Sequence, residues 1–542
     1  MSGETTAAVL RPDRARPTAD LIPIHRSNSR SKEHQTMTAS VDVAGQQFIG
    51  GRRRRGTSAE ELVVVNPSNG ERLAEDVHAS PADVDEAVAA ARAAFRSWSR
   101  TTPARRSELL HALAAELQGM SAELAALESA QGGKPIKLAA GFDVPGTIDN
   151  VSFFAGAARN LDGKASAEYS GQHTSSIRRE PIGVIGSISP WNYPFQMAGW
   201  KILPAVAAGN TIVLKPSELT PITSVLFAEA AQRVGIPDGV INVVTGHGST
   251  VGSALVAHAD VDMVSFTGST AVGRQVAATA AGAIKRVHLE LGGKAPFLVF
   301  DDADLEAAAR GAVAGSLINA GQDCTAATRA YVQRRHYDAF VERVAELMAG
   351  VVVGAVDDPA TDLGSLISTA HRDRVAAMVD RARDAGAEVV TGGAPGTGEL
   401  ARGAYYQPTL LVGAAQDSEI VRDEVFGPVL VALPFDGDDE GLALANDTRY
   451  GLAASAWTGS VFRAQRAAAE IQAGCVWIND HIPIISEMPH GGYKASGSAK
   501  DMSTYSLEEY TQLKHVMSAS APEPHKDWHD LVVTVAGDGP PR

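Results

Sequence analysis

The feature that most constrains this fold is a chain of short apolar runs, each closed by turn residues and separated by helical patterns. Between residues 182 and 300 they read IGVIGSIS (182–189), TIVLKP (211–216), INVVTG (241–246), MVSFTG (263–268) and APFLVF (295–300). Runs of this kind read as strands. SVLFAEAAQRV (224–234) carries helical spacing between two of them. Strands that alternate with helices form a parallel sheet covered by those helices, so the rhythm predicts an α/β fold. A second series starts at APFLVF and continues through DADLEAAARGAVAGSLINAG, YVQR and the helix around AFVERVAELMAG, predicting a second α/β unit. Upstream, Ser80-Pro81 marks a helix start, with Ser80 as cap and Pro81 at the first helical position. Val84, Val88, Ala91, Phe95 and Trp98 then give one core-facing stripe.

A chain of 542 residues has room for two or three domains. Apolar residues make up 44% and charged residues 20%, as in an ordinary globular protein. The net charge of −15 argues against nucleic acid and anionic membrane surfaces as partners. The two cysteines, Cys324 and Cys475, form neither a disulfide framework nor a metal signature, so no metal is expected. A reducing cytoplasm is the natural setting. No window approaches the about 18–20 apolar residues of a membrane span, and no apolar stretch near the N-terminus reads as a signal peptide. Residues 1–44 read as a disordered arm in which Met37 is an alternative start, and residues 518–542 as a disordered tail. RRRR (52–55) reads as a solvated turn after a glycine pair.

Six stretches carry chemistry. SPWNYP (189–194) follows a strand directly. A side chain there faces the ligand crevice of an open α/β sheet, and the Asn192 amide can donate to a developing oxyanion. The plainer alternative is a Pro-flanked turn with an Asn cap. In KPSE (215–218), Lys215 and Glu218 can hold a diol such as a ribose, while Glu218 repels a phosphate. The same residues also read as a helix start, with Ser217 capping. In FTGSTAVG (266–273), Gly268 and Gly273 bracket a strand-to-helix turn whose Ser269 can bond a pyrophosphate. Thr270 stands where GxGxxG needs a glycine.

LELGGK (289–294) puts Glu290 before two glycines that let the backbone approach another surface. Poor solvation there raises a carboxyl pKa and makes a usable base; a salt-bridged Glu is the alternative. NAGQDCTAATR (319–329) gives Cys324 small and polar neighbours that leave room for a substrate, and a cap-like loop lowers a thiol's pKa. Nucleophile and packing readings are evenly matched there, whereas Cys475, opening an apolar strand, fits packing. EVFGPV (424–429) sets Glu424 and Phe426 on one face of a strand, a pair that suits a sugar–base ligand. A half-buried strand ending at Gly427-Pro428 is the alternative.

In this order, PWNYP, GNTIVLKPSE, FTGST, LELGGK, GQDC and EVFGP resemble the NAD(P)-dependent aldehyde dehydrogenase superfamily over roughly residues 45–517. FFAGAAR (153–159), HTSSIRREPIG (173–183), NAGQDCTAATR and SEMPHGGYKASGSAKDMS (486–503) are most similar to gamma-aminobutyraldehyde dehydrogenases. The resemblance implies a Rossmann-type NAD-binding domain (45–167 and 181–291), an α/β catalytic domain (292–480) and a small β oligomerisation arm (168–180 and 505–517). It implies Cys324 as nucleophile, Asn192 as oxyanion donor and Glu290 as general base. It implies cofactor contacts at Ser189, Pro190, Trp191, Lys215, Ser217, Glu218, Gly268, Ser269, Gly273, Leu291, Glu424 and Phe426. Of these, Lys215 and Glu218 hold the adenosine ribose, Ser269 the pyrophosphate, and Glu424 with Phe426 the nicotinamide ribose.

NAD is expected over NADP because Glu218 opposes a 2′-phosphate. The implied reaction oxidises 4-aminobutanal to 4-aminobutanoate through a cysteine thiohemiacetal and thioester. Betaine aldehyde, 3-aminopropanal or a broader aldehyde range are the alternatives. An ammonium end calls for acidic or aromatic groups, for which Tyr193, Trp200, Asp143, Asp149 and Glu487 are candidates. A homotetramer is the implied assembly. A CoA-acylating enzyme is the mechanistic rival, and a catalytically silent binding protein the rival of another class; Glu290 speaks against the first and the Cys324–Asn192–Glu290 set against the second.

Overall fold

The computed structural model describes residues 45–522 and 526–533. The expected arm 1–44, and residues 523–525 and 534–542 of the expected tail, lie outside the described residues. Two seven-stranded sheets dominate. The first runs, edge to edge, Arg286–Glu290, Met263–Thr267, Val184–Ile188, Thr211–Lys215, Ile241–Val243, Gln47–Ile49 and Arg52–Arg54. Its first five strands are parallel, and Gln47–Ile49 joins antiparallel. From Val184–Ile188 the chain builds outward through Thr211–Lys215 to Ile241–Val243, then crosses to the other side for Met263–Thr267 and Arg286–Glu290. That reversal opens a crevice at the carboxyl ends of Val184–Ile188 and Met263–Thr267.

The second sheet runs Glu388–Thr391, Thr409–Val412, Val429–Phe435, Ala327–Gln333, Ala295–Val299, Ala453–Trp457 and Cys475–Ile478, parallel except at its first strand. Helices cover both sheets for local reasons. Ser80 caps Pro81–Trp98 in a capping box with Asp83, and Val84, Val88, Ala91 and Trp98 of the expected stripe are buried. Asp304 caps Leu305–Leu317, which carries the chain toward Cys324.

Four local expectations are corrected. RRRR is not a solvated turn: Gly50 and Gly51 (φ 58° and 80°) make the hairpin, and Arg52–Arg54 is an edge strand. Its arginines pair with Glu229, Asp83 and Glu86, and Arg55 with Asp76. KPSE is not a helix start, since the next helix begins at Ile222; the Ser217 hydroxyl instead accepts from the Leu219 N–H (3.2 Å). Glu424 and Phe426 do not lie on a strand, because Phe426 is left-handed (φ 57°) and the strand begins at Val429. In the arm, residues 505–509 belong to the helix Ser503–Glu509. The last strand, Thr511–Ala519, runs past the expected boundary and pairs antiparallel with His173–Pro181, which pairs with Ser166–Ser170. A short helix, Asp527–Asp530, follows within the expected tail. Among the described residues no helix is long and apolar enough to cross a membrane.

Candidate active site

A cavity of about 620 Å³ lies between the carboxyl ends of the first sheet and the amino ends of the second. The first sheet contributes Pro190, Trp191, Asn192 and Tyr193, then Gly268 and Ser269, then Leu291. The second contributes Cys324, ahead of Ala327–Gln333, and Glu424 and Phe426, ahead of Val429–Phe435.

Cys324 is delivered by three consecutive left-handed residues, Asn319 (φ 48°), Ala320 (φ 55°) and Gly321 (φ 69°). Left-handed backbone is costly for residues with a Cβ and persists where surrounding contacts enforce it. Here Asn319 Nδ2 donates to Asn192 O (2.8 Å), Gln322 Nε2 to Asn319 O (3.1 Å), and the Ile367 N–H to Gln322 Oε1 (2.8 Å). A Cβ on Gly321 would stand 2.1 Å from the Gly427 carbonyl oxygen, and one on Gly293 2.1 Å from the Cys324 carbonyl oxygen. The cysteine loop therefore seats directly on both neighbouring backbones, the close approach expected of the glycines in LELGGK.

The Cys324 thiol is half-buried and reduced. Its pKa is pushed well above the ordinary thiol value, first by burial and then by the carboxylates of Asp323, Glu424 and Glu290. The expectation of an acidified thiol is thus reversed: Asp323 stands beside the sulfur where a helix N-terminus or a cation would be needed. Asn192 is buried, and its Nδ2 donates to Gln322 O (3.0 Å) while its Oδ1 has no partner. An amide nitrogen carries two hydrogens. One clamps Asn192 to the cysteine loop, leaving the other for an oxygen in the cavity.

Glu290 ends its strand as expected but does not line the cavity. Its Oε1 is buried without a partner beside Gly491, where a Cβ would stand 2.3 Å away. Its pKa is raised well above the carboxylate range, mainly by burial and next by the charge of Asp501. Asp501 is held ionised, down to about 2, because Lys201 and His288 outweigh its own burial. Lys201 Nζ donates to Asp501 Oδ2 (2.7 Å), and His288 Nε2 lies 3.0 Å from Asp501 Oδ1. Sequence reasoning missed this buried network, since residues 201, 288 and 501 share no motif.

At the cofactor end, Glu424 Oε1 accepts from the Gly293 N–H (2.9 Å), and burial raises its pKa to about 7. His371 Nε2 donates to the Phe426 carbonyl (2.7 Å), and Trp191 packs edge-on against both rings. Burial holds His371 neutral, down to about 4. His371 thus helps to hold Phe426 in its left-handed turn. Ser269 caps the helix Thr270–Ala281, and Gly273 faces Leu291, where a Cβ would stand 2.4 Å from a methyl carbon. Lys215 Nζ donates to Glu218 Oε2 (3.0 Å). Burial lowers the Lys215 pKa; in Glu218 burial pushes upward, but Lys215 and further hydrogen bonds outweigh it and hold the carboxyl low. Ser189, Lys215, Ser217, Glu218 and Gly273 do not border the cavity itself.

The substrate candidates divide. Tyr193 and Trp200 line the cavity, with the Tyr193 hydroxyl on Asp323 Oδ2 (2.7 Å) and the Trp200 ring 5.0 Å from His490. Asp143, Asp149 and Glu487 do not. Asp143 is fully buried and ion-paired with Lys134, whose Nζ also donates to Asn192 O (2.9 Å), so it buttresses the Asn192 loop. Asp149 and Glu487 are exposed.

The model of the aldehyde dehydrogenase family matches residues 54–516, nearly the whole described chain. The chain belongs to the aldehyde dehydrogenase family. It is 41% identical to the betaine aldehyde dehydrogenase of Vibrio vulnificus (strain CMCP6) over 470 residues, covering 86% of this chain and 96% of that one. Among solved structures, an aldehyde dehydrogenase from Bacillus cereus in complex with NAD+ superposes with a TM-score of 0.87 at 37% identity, over 90% of this chain and 99% of that one. A betaine aldehyde dehydrogenase from Staphylococcus aureus in complex with NAD+ gives 0.87 at 36% identity, over 89% and 96%. The aldehyde dehydrogenase fold expected from the motifs is therefore the fold of this protein.

Proposed function

We propose that the protein oxidises a short aldehyde with a cationic end to its carboxylate, using NAD, with 4-aminobutanal as leading substrate. One observation carries the reading: the Asn192 amide is fastened to the loop of Cys324, inside the cavity that Ser269, Glu424 and Phe426 also border. The B. cereus and S. aureus relatives hold NAD+, and the residues here fit that group. The N-terminus of Thr270–Ala281 meets the cavity at Ser269 and suits a pyrophosphate. Thr267, at the cavity wall, has a buried Oγ1 without a partner. Glu218 favours a ribose with a free 2′-hydroxyl. When bound, NAD supplies a hydride acceptor.

The chain's own residues do the rest. Cys324 gives its thiol proton to solvent, and the thiolate Sγ bonds the aldehyde carbon as the carbonyl π pair moves to oxygen; the free Asn192 amide hydrogen holds that developing oxyanion, and such a donor contributes about 3–4 kcal/mol. Loss of hydride leaves a thioester on Cys324. Glu290, turned into the cavity by side-chain rotation and in its ionised form, takes a proton from the water that hydrolyses it. Release of free acid follows, and a CoA thioester formed in the presence of CoA would overturn this step. The arm sheet is the proposed assembly surface of a homotetramer.

Betaine aldehyde is the second reading, favoured by the walls at the substrate end. Phe142, Tyr193, Trp200 and His490 are there, while Asp143 and Glu487 are not. Aromatic faces hold a quaternary ammonium without hydrogen bonds, whereas a primary ammonium also needs acceptors. NADH release with 4-aminobutanal, 3-aminopropanal, betaine aldehyde and pentanal separates these readings by kcat/KM. The highest value for 4-aminobutanal supports the leading reading, the highest for betaine aldehyde the second, and the highest for pentanal overturns both.

A further inference from the structure

We propose that Glu60, His78 and His247 form a binding site for a divalent transition-metal ion of the zinc class, outside the cavity. The three come from separate segments. Glu60 precedes the strand Glu61–Val65, His78 follows its hairpin partner Arg72–Val77, and His247 follows Ile241–Val243. The hairpin brings the first two together, since the His78 N–H donates to Glu60 O (3.0 Å). One ligand atom of each residue lies within 4.8 Å of the others, the one such group of side chains among the described residues. His247 Nε2 stands 3.4 Å from Glu60 Oε2, and the His78 and His247 ring centroids are 4.0 Å apart.

Two further observations point to an ion. His78 is buried, 6% exposed, yet its Nδ1 has no hydrogen-bond partner. A buried polar nitrogen left unpaired is costly. On the far side of the His247 ring, Nδ1 faces Glu218 Oε1 at 3.4 Å. A carboxylate behind the second nitrogen is the usual arrangement that orients a metal-bound imidazole. Two imidazoles and one carboxylate, with water as a fourth ligand, suit Zn²⁺ better than Mg²⁺ or Ca²⁺, which prefer all-oxygen shells. Sequence reasoning, which weighed only cysteine spacing for metals, had no signal for it.

The test uses untagged full-length protein carrying Cys324→Ser, which removes the cavity thiol as a competing ligand. It is titrated with Zn²⁺ by calorimetry and with Co²⁺ by visible absorption. A single equivalent of each ion and the absorption of tetrahedral Co²⁺ are expected. Adding His247→Ala or Glu60→Ala, both at exposed residues, lowers the affinity by more than about tenfold. His111→Ala, on the exposed face of the helix Pro103–Gly119, leaves it unchanged. Two independent ligand variants are used so that, if one fails to fold, the other decides. Absence of binding in the Cys324→Ser protein, or binding undiminished by His247→Ala and Glu60→Ala, overturns the proposal.

Discussion

At the scale of single residues, the protonation of Cys324 governs reactivity. The thiol sits in a buried pocket with Asp323, Glu424 and Glu290 around it, and all of these raise its pKa. The sign follows: below a raised pKa the thiolate is a small fraction that grows about tenfold per pH unit. Alkylation of Cys324 by iodoacetamide without NAD, followed by peptide mass spectrometry, is expected to climb steadily from pH 7 to 9. A plateau already at pH 7 would mean that something in the protein acidifies the sulfur. Cys475, lifted to about 11 by burial, should stay slower throughout. Glu290 shows the same physics in a carboxyl group: burial and Asp501 hold it up, and its partnerless Oε1 marks it as a group not used for packing.

At the scale of elements, irregular segments decide the site more than regular ones. Strands and helices were legible in the sequence because their periodicity is local, and strand ends placed Asn192, Lys215, Ser269 and Glu290 where the carboxyl ends of parallel strands converge. The loops were not legible. Glu424 and Phe426 read as strand partners, yet Phe426 turns left-handed because His371 holds its carbonyl and Arg374 holds that of Val425 (2.6 Å). Those partners lie some fifty residues away, beyond any local pattern. The cysteine loop is equally non-local. Gly321→Ala should cost about 1–3 kcal/mol from its left-handed backbone alone, and more from the contact with the Gly427 carbonyl. Differential scanning calorimetry should show a lower Tm, with activity falling as Cys324 shifts. An unchanged Tm would show that the loop has slack.

At the scale of the whole molecule, the arm sheet is the surface on which the proposed assembly rests. Leu513 and Met517 lie on its outer strand, 63% and 51% exposed, and Tyr169 on the opposite edge strand is 70% exposed. Open edges with apolar side chains invite strand pairing with another copy. Leu513→Glu with Met517→Glu is expected to shift the assembly to a smaller species in light scattering after size-exclusion chromatography. A mass identical to that of the wild type would remove the arm from the interface.

By itself, the sequence determined the α/β class, the strand ends that border the crevice, and the residue types available for chemistry. These follow from local periodicity, capping and turn residues, which act over a few positions. The tertiary structure alone decided that Asp143 supports the Asn192 loop, that burial and three carboxylates surround the Cys324 thiol, and that Lys201, Asp501 and His288 stand behind Glu290. It alone brought Glu60, His78 and His247 to one point. Burial and charge proximity arise only when distant segments pack, so no reading of neighbours along the chain contains them.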